Sequence, residues 1–139
     1  MTKPVGLTKD QGWQIGVRRT LPIKPVEAWM LLMSPQGLKI WLGTGVTEFK
    51  KGDVYQTNEG TTGDIRSFDA GRMIRLRWQP AGWDFESTVQ VRVLPAKRGT
   101  TLSFHHERLQ DAEQREKMRT HWLNMINQLD ALAQAQVGE

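Results

Sequence analysis

The chain has 139 residues, 38% of them hydrophobic and 24% charged, with a formal net charge of +4, six tryptophans and no cysteine. That is one domain's worth, residues 1–139 read as a single unit, and by size scaling it buries roughly 70% of its unfolded surface, enough for a core without staples. Composition excludes a disulfide framework, thiolate catalysis and cysteine zinc sites, and the longest apolar run, Ala28 to Met33, falls far short of the ~18 residues of a membrane span.

The opening MTKPVGLTKDQGW has no apolar central run, so the expectation is a cytoplasmic protein with no membrane partner. Trp13, Ile15 and Val17 then alternate with Gln14, Gly16 and Arg18 and lead to Leu21, the period of a first strand. Pro22 ends it. Pro25 suits the first turn of a helix, and Val26, Trp29, Met30 and Met33 recur at helical spacing through Pro25 to Met33. Ser34-Pro35 breaks that helix and starts a second short one, with Ser34 as its cap, running through Leu38 and Trp41 to the stop at Gly43-Thr44-Gly45.

From there to Glu107 the pattern changes to short alternating runs separated by glycine-containing turns. Strands are expected at Val46 to Lys50, Asp53 to Asn58, Thr61 to Phe68, Arg72 to Trp78, Trp83 to Leu94 and Thr100 to Arg108. Turns this short force antiparallel neighbours, because a parallel crossover needs a dozen or more residues. Parity groups Ile74, Leu76 and Trp78 on one face, Phe85, Val89, Val91 and Val93 on another, and Leu102, Phe104 and His106 on the inward side of the last strand. The closing segment returns to the helical period, with Met118, Trp122, Met125, Ile126, Leu129, Leu132 and Ala133 on one stripe and Asp111 and Gln114 spaced as a capping box.

Several features carry a family resemblance: Trp29; Pro35 with Leu38 and Trp41; Phe49-Lys50-Lys51-Gly52 with Tyr55; Gly63; Arg72-Met73-Ile74 leading to Trp78; Gly99-Thr100-Thr101-Leu102 with His106; and Trp122 with Leu129. In this order, over Trp13 to Leu132, the chain resembles the START-like (SRPBCC) or helix-grip superfamily, and within it the bacterial domains similar to the activator of Hsp90 ATPase. The resemblance implies an α+β helix-grip fold: a curved antiparallel sheet of about seven strands, two short helices, and a long C-terminal helix gripped by the sheet over a cavity. It further implies binding of a small hydrophobic or amphipathic molecule, with two alternatives: a co-chaperone-like partner of an Hsp90-type ATPase in the stress response, or a cyclase- or hydrolase-type enzyme using the same cavity. The fold alone does not choose among them.

The candidate ligand-binding set is Trp41, Tyr55, Trp78, Phe85, Phe104, His106, Met118, Trp122, Met125 and Ile126, which either lines a cavity or fills it. The ligand would enter between Trp41, the neighbouring loops and the start of the long helix near Met118. His105 and His106 point to opposite faces of a strand and cannot share an ion, so no metal and no cofactor is expected. His106 reads either as an orienting group on the cavity wall or as a core histidine. No Gly-x-Ser-x-Gly elbow exists, and no catalytic residue is assigned.

Arg66, Arg75, Arg77 and Arg92 share the outward parity, but Asp64 and Glu86 lie on the flanking strands and no exposed aromatics interleave with the arginines. Nucleic acid is therefore not an expected partner, and the expected state is a monomer or weak homodimer.

Overall fold

The computed structural model describes residues 7–8, 12–48 and 50–137. In chain order these form β1 (Leu7–Thr8), β2 (Gly12–Leu21), α1 (Pro25–Met33), α2 (Pro35–Trp41), β3 (Val54–Gln56), β4 (Thr62–Asp69), β5 (Met73–Trp78), β6 (Ser87–Ala96), β7 (Gly99–Leu109) and α3 (Ala112–Val137). All strand neighbours are antiparallel, and the sheet order is β1-β2-β7-β6-β5-β4-β3. The sheet thus has six strands of three residues or more, together with the two-residue β1 at one edge. The fold is α+β, a curved antiparallel sheet with α3 laid across its concave face.

The helices begin where local chemistry allows. The Lys24 amide donates to Glu27 Oε1 at 2.9 Å ahead of α1, and the Gly37 amide donates to Ser34 Oγ at 3.0 Å to cap α2. At the start of α3 the Gln114 amide donates to Asp111 Oδ1 at 2.7 Å, while Gln114 Oε1 accepts from the Gln110 amide. The carboxylate thus sits at the positive end of the helix dipole.

Parity holds on the core strands. Ile74, Leu76 and Trp78, then Val89, Val91 and Val93, then Leu102, Phe104 and His106 are all buried. At the end of β7 a bulge breaks the alternation. Arg108 adopts φ 64°, which turns its side chain outward and puts Leu109 into the core instead.

Two strand expectations are corrected. Val46 to Lys50 forms no strand: among the described residues of that segment none pairs with the sheet, which ends at β3, and Phe49 lies outside the described residues. Hydrogen bonds hold the neighbouring chain in loop form. Asp53 Oδ2 accepts from the Lys50 amide, and Glu59 accepts from both the amide and the hydroxyl of Thr44. The second correction concerns Trp83 to Glu86, which precede β6 rather than belonging to it. The Trp83 amide donates to the Pro80 carbonyl at 3.1 Å, closing a turn in which Gly82 takes φ +88°, a conformation that side chains rarely adopt.

Helix α3 runs in the same direction as β2 and is fastened to it near both ends. Arg115 Nε donates to the Gln14 carbonyl at 2.7 Å, and Arg19 bonds Asp130 at 2.9 Å and Asn127 at 2.7 Å. Between these ties Trp122, Ile126 and Leu129 are buried, and Ala133 continues the buried stripe beyond the second tie. Among the described residues no helix is long and apolar enough to cross a membrane.

Candidate functional site

The space under α3 is occupied by rings. Phe104 stacks on Trp122 with centroids 5.2 Å apart, and Trp41 meets Phe104 edge-on at 6.0 Å. Trp78 lies 5.5 Å from Trp122 and 5.0 Å from His106. Trp41, Phe104, His106, Trp122 and Ile126 are each 2% exposed or less, so these expected ligand-binding residues form a packed core rather than an empty chamber.

A polar thread runs through this core. An indole N–H can only donate, so the 3.0 Å bond from Trp122 Nε1 makes His106 Nδ1 an acceptor. The ring proton then sits on Nε2, which donates to Ser87 Oγ at 2.8 Å, and Ser87 in turn donates to the Trp78 carbonyl at 2.5 Å. Every atom of the thread is satisfied by a neighbour. Burial, helped by the nearby His121 and His105, lowers the His106 pKa from 6.5 to about 3 and keeps the ring neutral.

The Ser87–His106 pair therefore differs from a nucleophile and its base. The histidine donates to the serine, no carboxylate backs it, and Ser87 is fully buried. His106 is a core histidine with both nitrogens engaged. It presents neither to a ligand.

A cleft opens at one end of the helix. A cleft of about 480 Å³ is bounded by α2, the loop after it, the 79–83 turn and the first half of α3. Trp41 and Trp78 form its floor, with Ile40, Leu42, Met118 and Met125 around them. Trp83 completes one wall, edge-on to Trp78 at 5.5 Å and stacked on Phe85 at 4.8 Å. The polar members are Lys39, Glu59, Thr61 and His121. Glu59 is tied up by Thr44, whose hydroxyl and amide hold its carboxyl below the usual range, and burial lowers the pKa of His121.

Four residues of the sequence-derived set thus meet at the cleft: Trp41, Trp78, Met118 and Met125. Phe104, His106, Trp122 and Ile126 lie in the packed core beneath it. Phe85 supports Trp83 from behind. Tyr55 does not reach the cleft: it crosses Gly63, and its hydroxyl donates to the Arg77 carbonyl at 2.6 Å. A Cβ on Gly63 would come within 1.9 Å of that carbonyl and 2.6 Å of the Tyr55 hydroxyl, so glycine is required there. Burial raises the Tyr55 pKa far above its usual value.

Sequence reasoning missed Ile40, Leu42, Pro80, Trp83 and His121 as cleft residues. Pro80-Ala81-Gly82 was legible as a turn, but the alternation at Trp83 to Phe85 mimics a strand and hides that the turn carries Trp83 over the cleft.

Among the described residues no three histidine, aspartate or glutamate side chains gather to hold a metal ion. On the outer face of the sheet the arginines are largely matched. Arg75 pairs with the buried Glu107 at 3.0 Å, Arg77 with Glu86 at 3.1 Å and Arg66 with Asp64 at 3.2 Å.

The family model for activator of Hsp90 ATPase homolog 1-like proteins matches residues 22–134, from the end of β2 through most of α3. The chain belongs to that family. Solved structures share its architecture. A Mesorhizobium loti protein superposes with a TM-score of 0.75 at 17% identity, covering 88% of this chain and 97% of its own. The AHSA1 protein of Silicibacter pomeroyi gives 0.72 at 18%, covering 88% and 99%, and a Rhodobacter sphaeroides protein gives 0.68 at 24%, covering 88% and 93%. No curated protein matches. At these identities the structural likeness speaks for the fold, and the site has to be argued from this chain's own residues.

Proposed function

We propose that this family member is a non-catalytic binding protein for a small hydrophobic or amphipathic molecule, held in the cleft between α2, the 79–83 turn and α3. The observation that carries the reading is the cleft itself. Its volume of about 480 Å³ lies in the usual range for small-molecule sites, and its floor and walls are mostly aromatic and aliphatic. The two methionines on α3 can follow ligands of different shape at little cost. Binding without catalysis is supported by the engaged nitrogens of His106 and the reversed Ser87 hydrogen bond.

Native mass spectrometry of freshly purified protein tests the proposal. The expected result is an adduct of a few hundred daltons that denaturation releases. Protein that arrives free of adduct and takes up no apolar probe would refute it.

A second reading, contact with an Hsp90-type ATPase, draws on the family and on α1. There Val26 is 62% exposed and Met30 65%, one turn apart on the same helix face, while the interior behind them is filled. Stimulation of the host ATPase that is lost in Val26→Ser/Met30→Ser protein supports this reading, and no stimulation by the native chain dismisses it.

A further inference from the structure

On the outer face of the sheet, away from the cleft, two arginines lack what their neighbours have. Arg66, Arg75 and Arg77 each meet a carboxylate. Arg18 and Arg92 are exposed, and among the described residues the side chain of neither forms an ion pair or a hydrogen bond. They flank Ser103 in one cross-strand row, Arg18 from β2 and Arg92 from β6. Neighbouring strands lie ~4.8 Å apart, so the two backbones stand ~10 Å apart and both guanidiniums can reach a small group seated over Ser103. The carboxylate in that register, Asp69, lies two strands beyond Arg92 with Met73 between them.

The row opens into a hollow of about 450 Å³. Ser103 and His105 on β7 form its floor, Gly16 and Arg18 one side, and Gln90 and Arg92 the other; among the described residues no carboxylate lines it. Arg75 uses up the acceptors nearby. Its Nη1 donates to Gln90 Oε1 at 3.1 Å, which leaves the Gln90 amide group as a donor, and its Nη2 donates to Glu107 at 3.0 Å. Glu107 is buried and takes the Nδ1–H of His105 at 3.1 Å on its other oxygen. That bond holds the imidazole beside Gly16, where an added Cβ would lie 3.6 Å from its Cδ2. The hollow thus presents two guanidiniums, an amide N–H group and a hydroxyl, with positive charge and no anion of its own to answer it.

We propose that this hollow binds a phosphate group, free or as the monoester of a small molecule, with Arg18 and Arg92 closing on it from opposite sides. Such a group carries close to two negative charges at neutral pH and at least three acceptor oxygens, so two arginines can share it while Gln90 and Ser103 take the remaining oxygen. A carboxylate has one planar edge, which a single guanidinium fork satisfies, and it leaves the second arginine unanswered. The proposal is independent of the binding role given to the cleft, which lies on the other face of the sheet.

The test titrates the full chain, at fixed sodium chloride concentration, with phenyl phosphate, inorganic phosphate and benzoate, followed by backbone and side-chain amide resonances in nitrogen-resolved NMR. The expected result is that phenyl phosphate binds more tightly than benzoate and moves the resonances of Gly16, Ser103 and the Gln90 side-chain amide. Arg18→Gln and Arg92→Gln are each expected to weaken phenyl phosphate about tenfold or more, the value of a hydrogen bond to a charged group, with an unchanged melting temperature. Arg66→Gln removes the same charge from another part of the face and is expected to leave the affinity within about twofold, because an exposed paired charge contributes little. Inorganic phosphate binding as tightly as the ester supports the free ion as occupant, and weaker binding supports the ester. An equal loss in Arg66→Gln protein overturns the proposal in favour of general charge attraction. Benzoate binding as tightly as phenyl phosphate overturns the phosphate assignment, and shifts confined to the neighbours of Met118 and Met125, or no shifts with any probe, overturn the site.

Discussion

At the scale of single residues His106 shows how far parity reaches. Alternation along β7 points it inward, and it is 1% exposed. Its hydrogen-bond state depends on Trp122 and Ser87, 16 and 19 residues away, and no local pattern pairs them. The consequence is measurable as pH dependence. His106 stays neutral in the folded protein down to pH about 3, whereas in the unfolded chain it takes up a proton below 6.5. Acid therefore favours unfolding: the stability that the neutral ring contributes is complete above pH 6.5 and is lost progressively as the pH falls towards 3, at ~1.4 kcal/mol per pH unit for this one proton. Urea unfolding at several pH values should show that slope. His106→Gln is expected to be less stable at neutral pH and to lose stability less steeply on acidification, and an unchanged slope would contradict the assignment.

At the scale of elements the helices were the most legible part of the chain. Pro25, Ser34-Pro35 and Asp111 mark their starts as capping chemistry predicts, because a cap is satisfied within three or four residues of sequence. Ser34→Ala is expected to cost ~1 kcal/mol by removing the acceptor of the Gly37 amide, measured by urea denaturation. Trp122 tests the docking of α3. It stacks on Phe104, touches Trp78 and donates to His106, so Trp122→Ala is expected to destabilise the fold by ~3 to 5 kcal/mol; an unchanged melting temperature would contradict this placement. The strands were less legible at their ends. Val46 to Lys50 and Trp83 to Phe85 alternate as strands do, yet a strand needs a neighbour to bond. The described residues of the first segment pair with no strand of the sheet, and the second is drawn into a turn by the Trp83 amide.

At the scale of the whole molecule the question is where space is left. Filling the cleft should block binding without harming the fold: Met118 lies at its edge, half-buried on α3, and Met118→Trp is expected to lower the affinity for a naphthalene probe at least tenfold while the melting temperature stays within a few degrees. Unaltered affinity would place the probe elsewhere.

The α+β order, the antiparallel meander, the inward faces of β5, β6 and β7 and the long apolar stripe of α3 follow from the amino-acid sequence alone, because periodicity and turn chemistry act over a few residues. The pairing of β2 with β7, the closure of the core by Trp122 and Phe104, and the opening of an apolar cleft at the end beside Trp83 needed the tertiary structure. A cleft is the small difference between the volume a sheet and helix enclose and the volume their side chains fill. That difference is decided by contacts between residues far apart in the chain, which no local pattern records.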